Sequence, residues 1–334
     1  MNANVTEETF EEEHDEHDDV SSRGGLMGAY LTRRLVFSVF ILWGAVSIIF
    51  VVLRLIPSDP ARLILGSDAT EAEVEALREQ MGLNESLPSQ YLSYLGDLTR
   101  LDFGDSYRQQ RDAFELVLEK LPATLELAIV ALVIALVVGI LLGVLAALRV
   151  NRITDRIVSV ASLLAQSLPS FWIGIVFILV FARGLHVLPS GGTGTPAHMV
   201  LPAITLAMPM LAILIRMTRS GLLEVIHEGY IQTARAKGLS ERVVIFPHAI
   251  RNALIPIVTI VGLQFGGLLA GSVIVEMVFS WPGIGRLLIE SIGQRDYNVV
   301  QASILVISAG FVFANLLVDV LYGYLDPRVR LVTR

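Results

Sequence analysis

The chain has no cysteine among its 334 residues. That excludes disulfides, thiolate zinc sites and thiol nucleophiles. Lysine is nearly missing too: of the 25 basic residues, two are lysines, Lys120 and Lys237, and the rest are arginines. Neither lysine follows a Gly-x-x-x-x-Gly turn, so the phosphate cradle of a P-loop ATPase is absent. Gly-x-Ser-x-Gly and His-Glu-x-x-His are absent as well. The six histidines are scattered without ligand spacing. No catalytic residue, no metal site and no cofactor bound by this chain is expected. Charge is also scarce, at 17% of residues against 54% apolar. A soluble domain is rarely so apolar, so most of the chain belongs in a bilayer.

The net charge of −7 is concentrated at one end. Residues 1–22 hold nine acids and no Lys or Arg, leaving 23 acids against 25 bases in the remainder. Such a tail buries no core and is expected to be disordered. His14 and His17 within it read as solvated side chains. Lysine poverty beside an acidic tail suits a halophile.

Six apolar stretches reach the roughly 20 residues a crossing needs. They run over about 33–54, 121–149, 156–182, 199–219, 253–277 and 298–322. The first follows Arg33-Arg34 and has no small-residue cleavage site after it, so it reads as an uncleaved anchor. Arginine fixes the orientation. Arg149, Arg152 and Arg156 follow span 2. Arg216, Arg219, Arg235, Lys237, Arg242 and Arg251 follow span 4, and Arg328, Arg330 and Arg334 lie at the C-terminus. The short loops on the other side carry Arg183, Arg286 and Arg295. Both termini are therefore expected in the cytoplasm of a multi-pass plasma-membrane protein.

The spans carry a small-residue device and few polar side chains. Span 2 places Ala131, Ala135, Gly139, Gly143 and Ala147 on one ridge; span 5 places Gly262, Gly266 and Ala270 likewise, with Gly267 and Gly271 beside them. Such ridges let membrane helices approach closely, within a subunit or across a dimer. Gln166 and Ser167 precede Pro169, and Gln264 lies in span 5. Intramembrane polar groups face a bundle interior or a cavity. These three are the candidates for a polar translocation path, hydrogen bonds between helices being the other role open to them. Asp319, near a span end, reads as structural. Glu126 and Glu276 lie near outer ends and are expected to reach the surface.

Between spans 1 and 2, about 55–120, an external helical segment is expected. Thr70-Glu71-Ala72-Glu73 is a capping box before Val74, Leu77 and Met81, closed by Gly82. Tyr91, Tyr94, Leu95 and Leu98 form a second apolar stripe.

Residues 229–240 carry the most specific signal. The stretch Gly-Tyr-Ile-Gln-Thr-Ala-Arg-Ala-Lys-Gly-Leu-Ser is too polar for hydrocarbon. A helix here reads acids first (Glu224, Glu228) and bases last (Arg235, Lys237), which suits the helix dipole. Gly238 is placed as a left-handed cap, and Ser240 starts the next helix. Tyr230, Ala234 and Gly238 share a face at four-residue spacing. Ala236 and Gly238 let another surface come close. This is a docking helix offered to a cytoplasmic partner, with an ordinary loop as the plainer reading.

The segment resembles the "EAA" loop of ABC importer permeases. Thr-Ala-Arg-Ala-Lys-Gly-Leu over 233–239, followed by His248-Ala249-Ile250-Arg251-Asn252-Ala253-Leu254-Ile255-Pro256, is similar to the dipeptide/oligopeptide branch. The resemblance extends to Pro57-Ser58-Asp59-Pro60-Ala61, Leu101-Asp102-Phe103-Gly104-Asp105-Ser106, Leu121-Pro122-Ala123-Thr124-Leu125-Glu126-Leu127, Phe279-Ser280-Trp281-Pro282-Gly283-Ile284-Gly285 and Leu325-Asp326-Pro327-Arg328. Gln232 departs from the family's Glu, Arg251 from its frequent Pro, and Pro247 is expected to kink a helix.

The resemblance implies an all-α polytopic membrane protein of the type I ABC importer transmembrane fold, with six transmembrane helices and the small external segment. The expected organisation is a disordered acidic cytoplasmic tail over 1–28, then the first helix with the external segment over 29–118. A five-helix transmembrane domain over 119–323 holds the coupling loop 221–252, and 324–334 form a short cytoplasmic end. Tyr230, Thr233, Ala234, Arg235, Ala236, Gly238, Leu239 and Ser240 would couple to the ATPase. The implied partners are a second homologous permease, two ABC ATPase subunits that use the ATP, an extracytoplasmic substrate-binding protein and the bilayer, with no nucleic acid. Peptide is the implied cargo, nickel chelates and glutathione being alternatives within the family. A secondary transporter would show central carboxylates and inverted repeats, which are not evident. A non-transporting scaffold leaves the docking loop without a role.

Overall fold

Long uninterrupted apolar runs with few helix breakers dictate helices, and helices are what form. The computed structural model describes residues 32–55, 59–66 and 68–325. The acidic tail and the C-terminal residues 326–334 lie outside the described residues. Helix α1, Thr32–Leu55, is apolar enough to cross a membrane and keeps most of its side chains exposed. In a bilayer those side chains meet lipid rather than water.

The segment after α1 builds three short helices. Helix α2, Pro60–Leu65, starts on Asp59, whose side chain accepts from the Ala61 N–H at 3.1 Å. Arg78 of α3, Glu71–Gln80, donates to the same carboxylate and holds it below the usual range of Asp. The expected capping box is present: the Glu73 N–H donates to Thr70 Oγ1 and the Thr70 N–H to Glu73 Oε2. Helix α4, Leu87–Thr99, turns its aromatic stripe back onto α1. Phe50 meets Tyr91 and Tyr94 at ring separations of 5.2 and 5.3 Å, and Ser47 and Tyr91 share a hydrogen bond of 2.6 Å.

Helix α5, Ala113–Leu148, has 36 residues. At about 1.5 Å per residue it is roughly 54 Å long, well beyond the ~30 Å of hydrocarbon. Its small-residue ridge is wholly buried against α8, Ala197–Ile226. A Cβ on Gly139 would lie 2.8 Å from Leu214 Cβ, and one on Gly143 would lie 2.5 Å from Thr218 Cβ. The ridge thus serves packing inside the subunit. Around it the main core gathers Leu127, Leu201, Leu206, Met210, Leu214 and Phe279.

Span 3 departs from the sequence reading. Helix α6, Ile153–Ser167, and helix α7, Ser170–Phe177, are bent by 111° at Leu168–Pro169. Proline pushes its preceding residue out of the helical region, and Leu168 is extended at ψ 136°. Helix α7 runs on as wider π turns over Ile178–Gly184. Five described helices are each long and apolar enough to cross a membrane, and the bent pair makes a sixth if taken together. At its start α6 is pinned to α8: Arg219 donates twice to the buried Asp155 carboxylate, at 2.6 and 2.9 Å.

After α8 come α9, Gly229–Ala236, and α10, Glu241–Val244, then a π turn over Ile245–Ile250 that leads into α11, Arg251–Val278. Helix α12, Ile284–Gln294, joins α11 to α13, Tyr297–Leu325. The second glycine ridge packs on α13: a Cβ on Gly262 would meet Val318, and one on Gly266 would meet Phe311.

Candidate functional site

The segment read as a docking helix forms where α8 outlasts its apolar run. That helix ends at Ile226, so Glu224 belongs to α8, not to the docking helix. Glu228 is extended, and its carbonyl accepts from the N–H groups of Ile231 and Gln232, which opens α9. One apolar side chain anchors this short polar helix. Ile231 is fully buried against Leu222, Val244, Ala249 and Ala253, with Ala234 packed beside it.

The far end of α9 is a Schellman cap. Gly238 has φ +79°, the Leu239 N–H donates to Ala234 O at 3.4 Å, and the Gly238 N–H donates to Arg235 O at 2.9 Å. The Ser240 carbonyl then accepts from Val243 and Val244 and starts α10. Arg235 closes the turn with Glu241, Nε to Oε1 at 2.8 Å. Asn252 donates to the Tyr230 hydroxyl at 2.8 Å, tying α9 to the start of α11. The π turn at Ile245–Ile250 brackets Pro247: the helix widens there instead of running straight through.

The sequence-derived residues therefore divide into two sets. Ala234 is half-buried against the body of the chain, while Tyr230, Thr233, Arg235, Ala236, Gly238, Leu239 and Ser240 are exposed. A Cβ on Gly238 would meet nothing within 4 Å. Phe246 and Val243, which sequence reading did not single out, are exposed apolar residues next to this face. Their signal was the apolar character of 243–246 directly after a polar loop. The result is a capped and anchored knob with an open, partly apolar surface.

The polar residues of the spans are placed differently. Gln166 and Ser167 are exposed at the α6–α7 bend, and the Ser167 hydroxyl donates to its own helix at Leu163 O. Gln264 is half-buried midway along α11. Among the described residues, neither glutamine makes a hydrogen bond to another helix. The side chain of Asp319 lies outside the described residues.

Glu126 is exposed, but Glu276 corrects expectation. It does not reach the surface: it is fully buried. Its carboxylate accepts from Thr124 Oγ1 at 2.8 Å and from the Arg286 N–H at 3.1 Å. Trp281 beside it is also buried, its indole N–H donating to Ala123 O at 2.9 Å. Proximity of 276 to the end of an apolar run says nothing of what folds over it, and α12 folds over it.

The family model for "Binding-protein-dependent transport system inner membrane component" matches residues 139–331, and the corresponding N-terminal model matches residues 27–128. The "Dipeptide transport system permease protein DppB" of Alkalihalophilus pseudofirmus is 39% identical over 332 residues, covering 91% of this chain and all of that protein. The "Glutathione transport system permease protein GsiC" of Escherichia coli (strain K12) is 40% identical over 301 residues, covering 90% of this chain and 98% of its own length. Among solved structures, a chain of the MetNI methionine ABC transporter in inward-facing conformations aligns with a TM-score of 0.49 at 23% identity, covering 66% of this chain and 97% of its own. With one family model over more than half the chain and full-length relatives near 40% identity, the chain belongs to the binding-protein-dependent transport system inner membrane components.

Proposed function

We propose that the chain is one permease subunit of an ATP-driven importer of di- and oligopeptides, paired with a second homologous permease around the translocation path. Two separate ATPase subunits use the ATP, and an extracytoplasmic binding protein delivers the cargo. Both termini and the 221–252 loop face the cytoplasm, a reading supported by the arginine asymmetry. The observation that carries the proposal is α9: a short helix too polar for the bilayer, fixed by Ile231 and a Schellman cap, with an open face of small and apolar residues. Ile231 ties α9 to Leu222 of α8, Val244 of α10 and Ala253 of α11, so force on α9 would pass to those elements. Gln166, Ser167 and Gln264 serve the path. The peptide assignment is supported by the likeness to the dipeptide permease, and the equal likeness to the glutathione permease favours glutathione as second cargo. Both are peptides with free carboxylates.

The test is to purify the chain from its own membrane and assay the preparation for ATPase activity stimulated by binding protein loaded with peptide or with glutathione. A co-purifying ATPase that peptide stimulates is the expected result. Stimulation by glutathione alone reassigns the cargo. An active transporter with no co-purifying ATPase sinks the proposal and favours a secondary transporter.

A further inference from the structure

At the end of the bundle opposite α9, three helices meet on one buried carboxylate. A helix start leaves its first N–H groups without intrahelical partners. The start of α12 is served from two other helices. The Ile284 N–H donates to Thr124 Oγ1 of α5 at 2.8 Å, and the Arg286 N–H donates to Glu276 Oε2 of α11 at 3.1 Å. Thr124 in turn donates to Glu276 Oε1. The fit is close enough to require glycine twice. A Cβ on Gly283 would lie 2.4 Å from the Glu276 carboxyl, and one on Gly285 would lie 2.4 Å from the backbone of Val273. Arg286 does not neutralise the carboxylate: its guanidinium is engaged by Glu290 and by Ser280 O. Both Glu276 oxygens are instead met by N–H and O–H donors at the start of α12 and on α5.

We propose that Glu276, with Thr124, is a latch that fixes α12 to α5 and α11, and that its release frees α12 while the rest of the bundle stays folded. The chemistry requires an acceptor at both oxygens. Glutamine has the same shape but one acceptor oxygen: its NH₂ either faces the Arg286 N–H, donor to donor, or donates to the free lone pair of the Thr124 hydroxyl, whose own proton then loses its acceptor. In either orientation one donor of the latch is left without its partner, so the neutral isostere weakens the latch. The remaining hold on α12 is apolar: Ile284 and Leu287 pack with Leu116 and Val117 of α5 and with Val299 and Ala302 of α13. The close contact between α5 and α8 is made at Gly139 and Gly143, well along α5 from Thr124. This inference does not depend on what the protein transports.

The cysteine-free chain allows a direct test in its own membrane. Ser291→Cys places a thiol on the buried face of α12, and Thr205→Cys places one in the core of α8. Each is introduced with Glu276→Gln, with Thr124→Val, or with the control Glu290→Gln, and the rate of reaction with a small membrane-permeant maleimide is followed. We expect Glu276→Gln and Thr124→Val each to raise the Ser291→Cys rate about tenfold or more, with Thr205→Cys unchanged and the control silent. An unchanged Ser291→Cys rate overturns the latch. A rise at both thiols also overturns it, since Glu276 would then support the whole fold. If uptake is lost while the Ser291→Cys rate stays at the control value, Glu276 acts on the path and not on α12, and the latch is again overturned.

Discussion

Gly238 offers the sharpest test of the docking loop, because its two constraints separate. Its φ of +79° is one that L-residues resist, while a Cβ there meets nothing in the chain within 4 Å. Any loss of loop stability on substitution therefore comes from the backbone. Left-handed geometry costs an ordinary residue about 1–2 kcal/mol, more when β-branched and less for asparagine. The cap at stake is two hydrogen bonds, Leu239 to Ala234 and Gly238 to Arg235, closing an eight-residue helix. A penalty of that size shifts the capped population about five- to thirtyfold. Gly238→Val should raise amide exchange over 229–240 by such a factor, and Gly238→Asn should restore most of the protection. Peptide-stimulated ATPase is then measured in the assembled complex. If the cap alone matters, activity follows the order Gly, Asn, Val. If the ATPase packs against this open position, Asn fails like Val although its cap is intact. Wild-type stimulation in Gly238→Val, alongside Ala234→Trp, would falsify the coupling role.

Three further outcomes follow from named contacts. Gly143→Ala should destabilise the chain by about 1–3 kcal/mol through overpacking, read as a lower melting midpoint in detergent, since its Cβ would sit 2.5 Å from Thr218 and 2.8 Å from the Ile215 carbonyl. The same change at Gly267, with nothing within 4 Å, should be neutral or slightly stabilising; equal effects at both sites refute the ridge argument. Single cysteines at Asp97 and Ser240, both exposed, should react with an impermeant thiol reagent on intact cells at 97 and not at 240, and the reverse pattern overturns the orientation. Gln166→Leu and Gln264→Leu should each lower peptide uptake with assembly intact; normal uptake in both removes them from the path.

What was legible in the sequence is what depends on neighbours along the chain. The Thr70–Glu73 box, the left-handed Gly238 and the start at Ser240 each involve residues within a few positions, and each formed as read. The period-four ridge of span 2 was legible for a related reason: a regular helix converts spacing into a face, and the face is buried. Its partner was not legible, because α8 offers Leu214 and Thr218 with no matching ridge of small residues. The bend in span 3 was legible in principle. Hydropathy over 156–182 is blind to the dihedral preference that Pro169 imposes on Leu168.

Glu276 shows where the limit lies. From sequence, a carboxylate near the end of an apolar run reads as one that snorkels to the surface, since burying a charge alone is expensive. Its fate is decided by Thr124, which is far away in sequence, by the Arg286 amide beyond the turn that follows α11, and by two glycines that let a backbone approach. The Pro122-Ala123-Thr124 and Trp281-Pro282-Gly283-Ile284-Gly285 stretches were visible as separate signatures with no stated physical role. They are two halves of one joint: the Trp281 indole on the Ala123 carbonyl, and the Thr124 hydroxyl on the Ile284 amide. Substituting either half should therefore produce the same defect. Thr124→Val and Gly283→Ala, 159 positions apart, should be non-additive, each loosening α12 nearly as much as both together. Two separate effects that sum would mean that the stretches act independently and that their meeting in space is incidental.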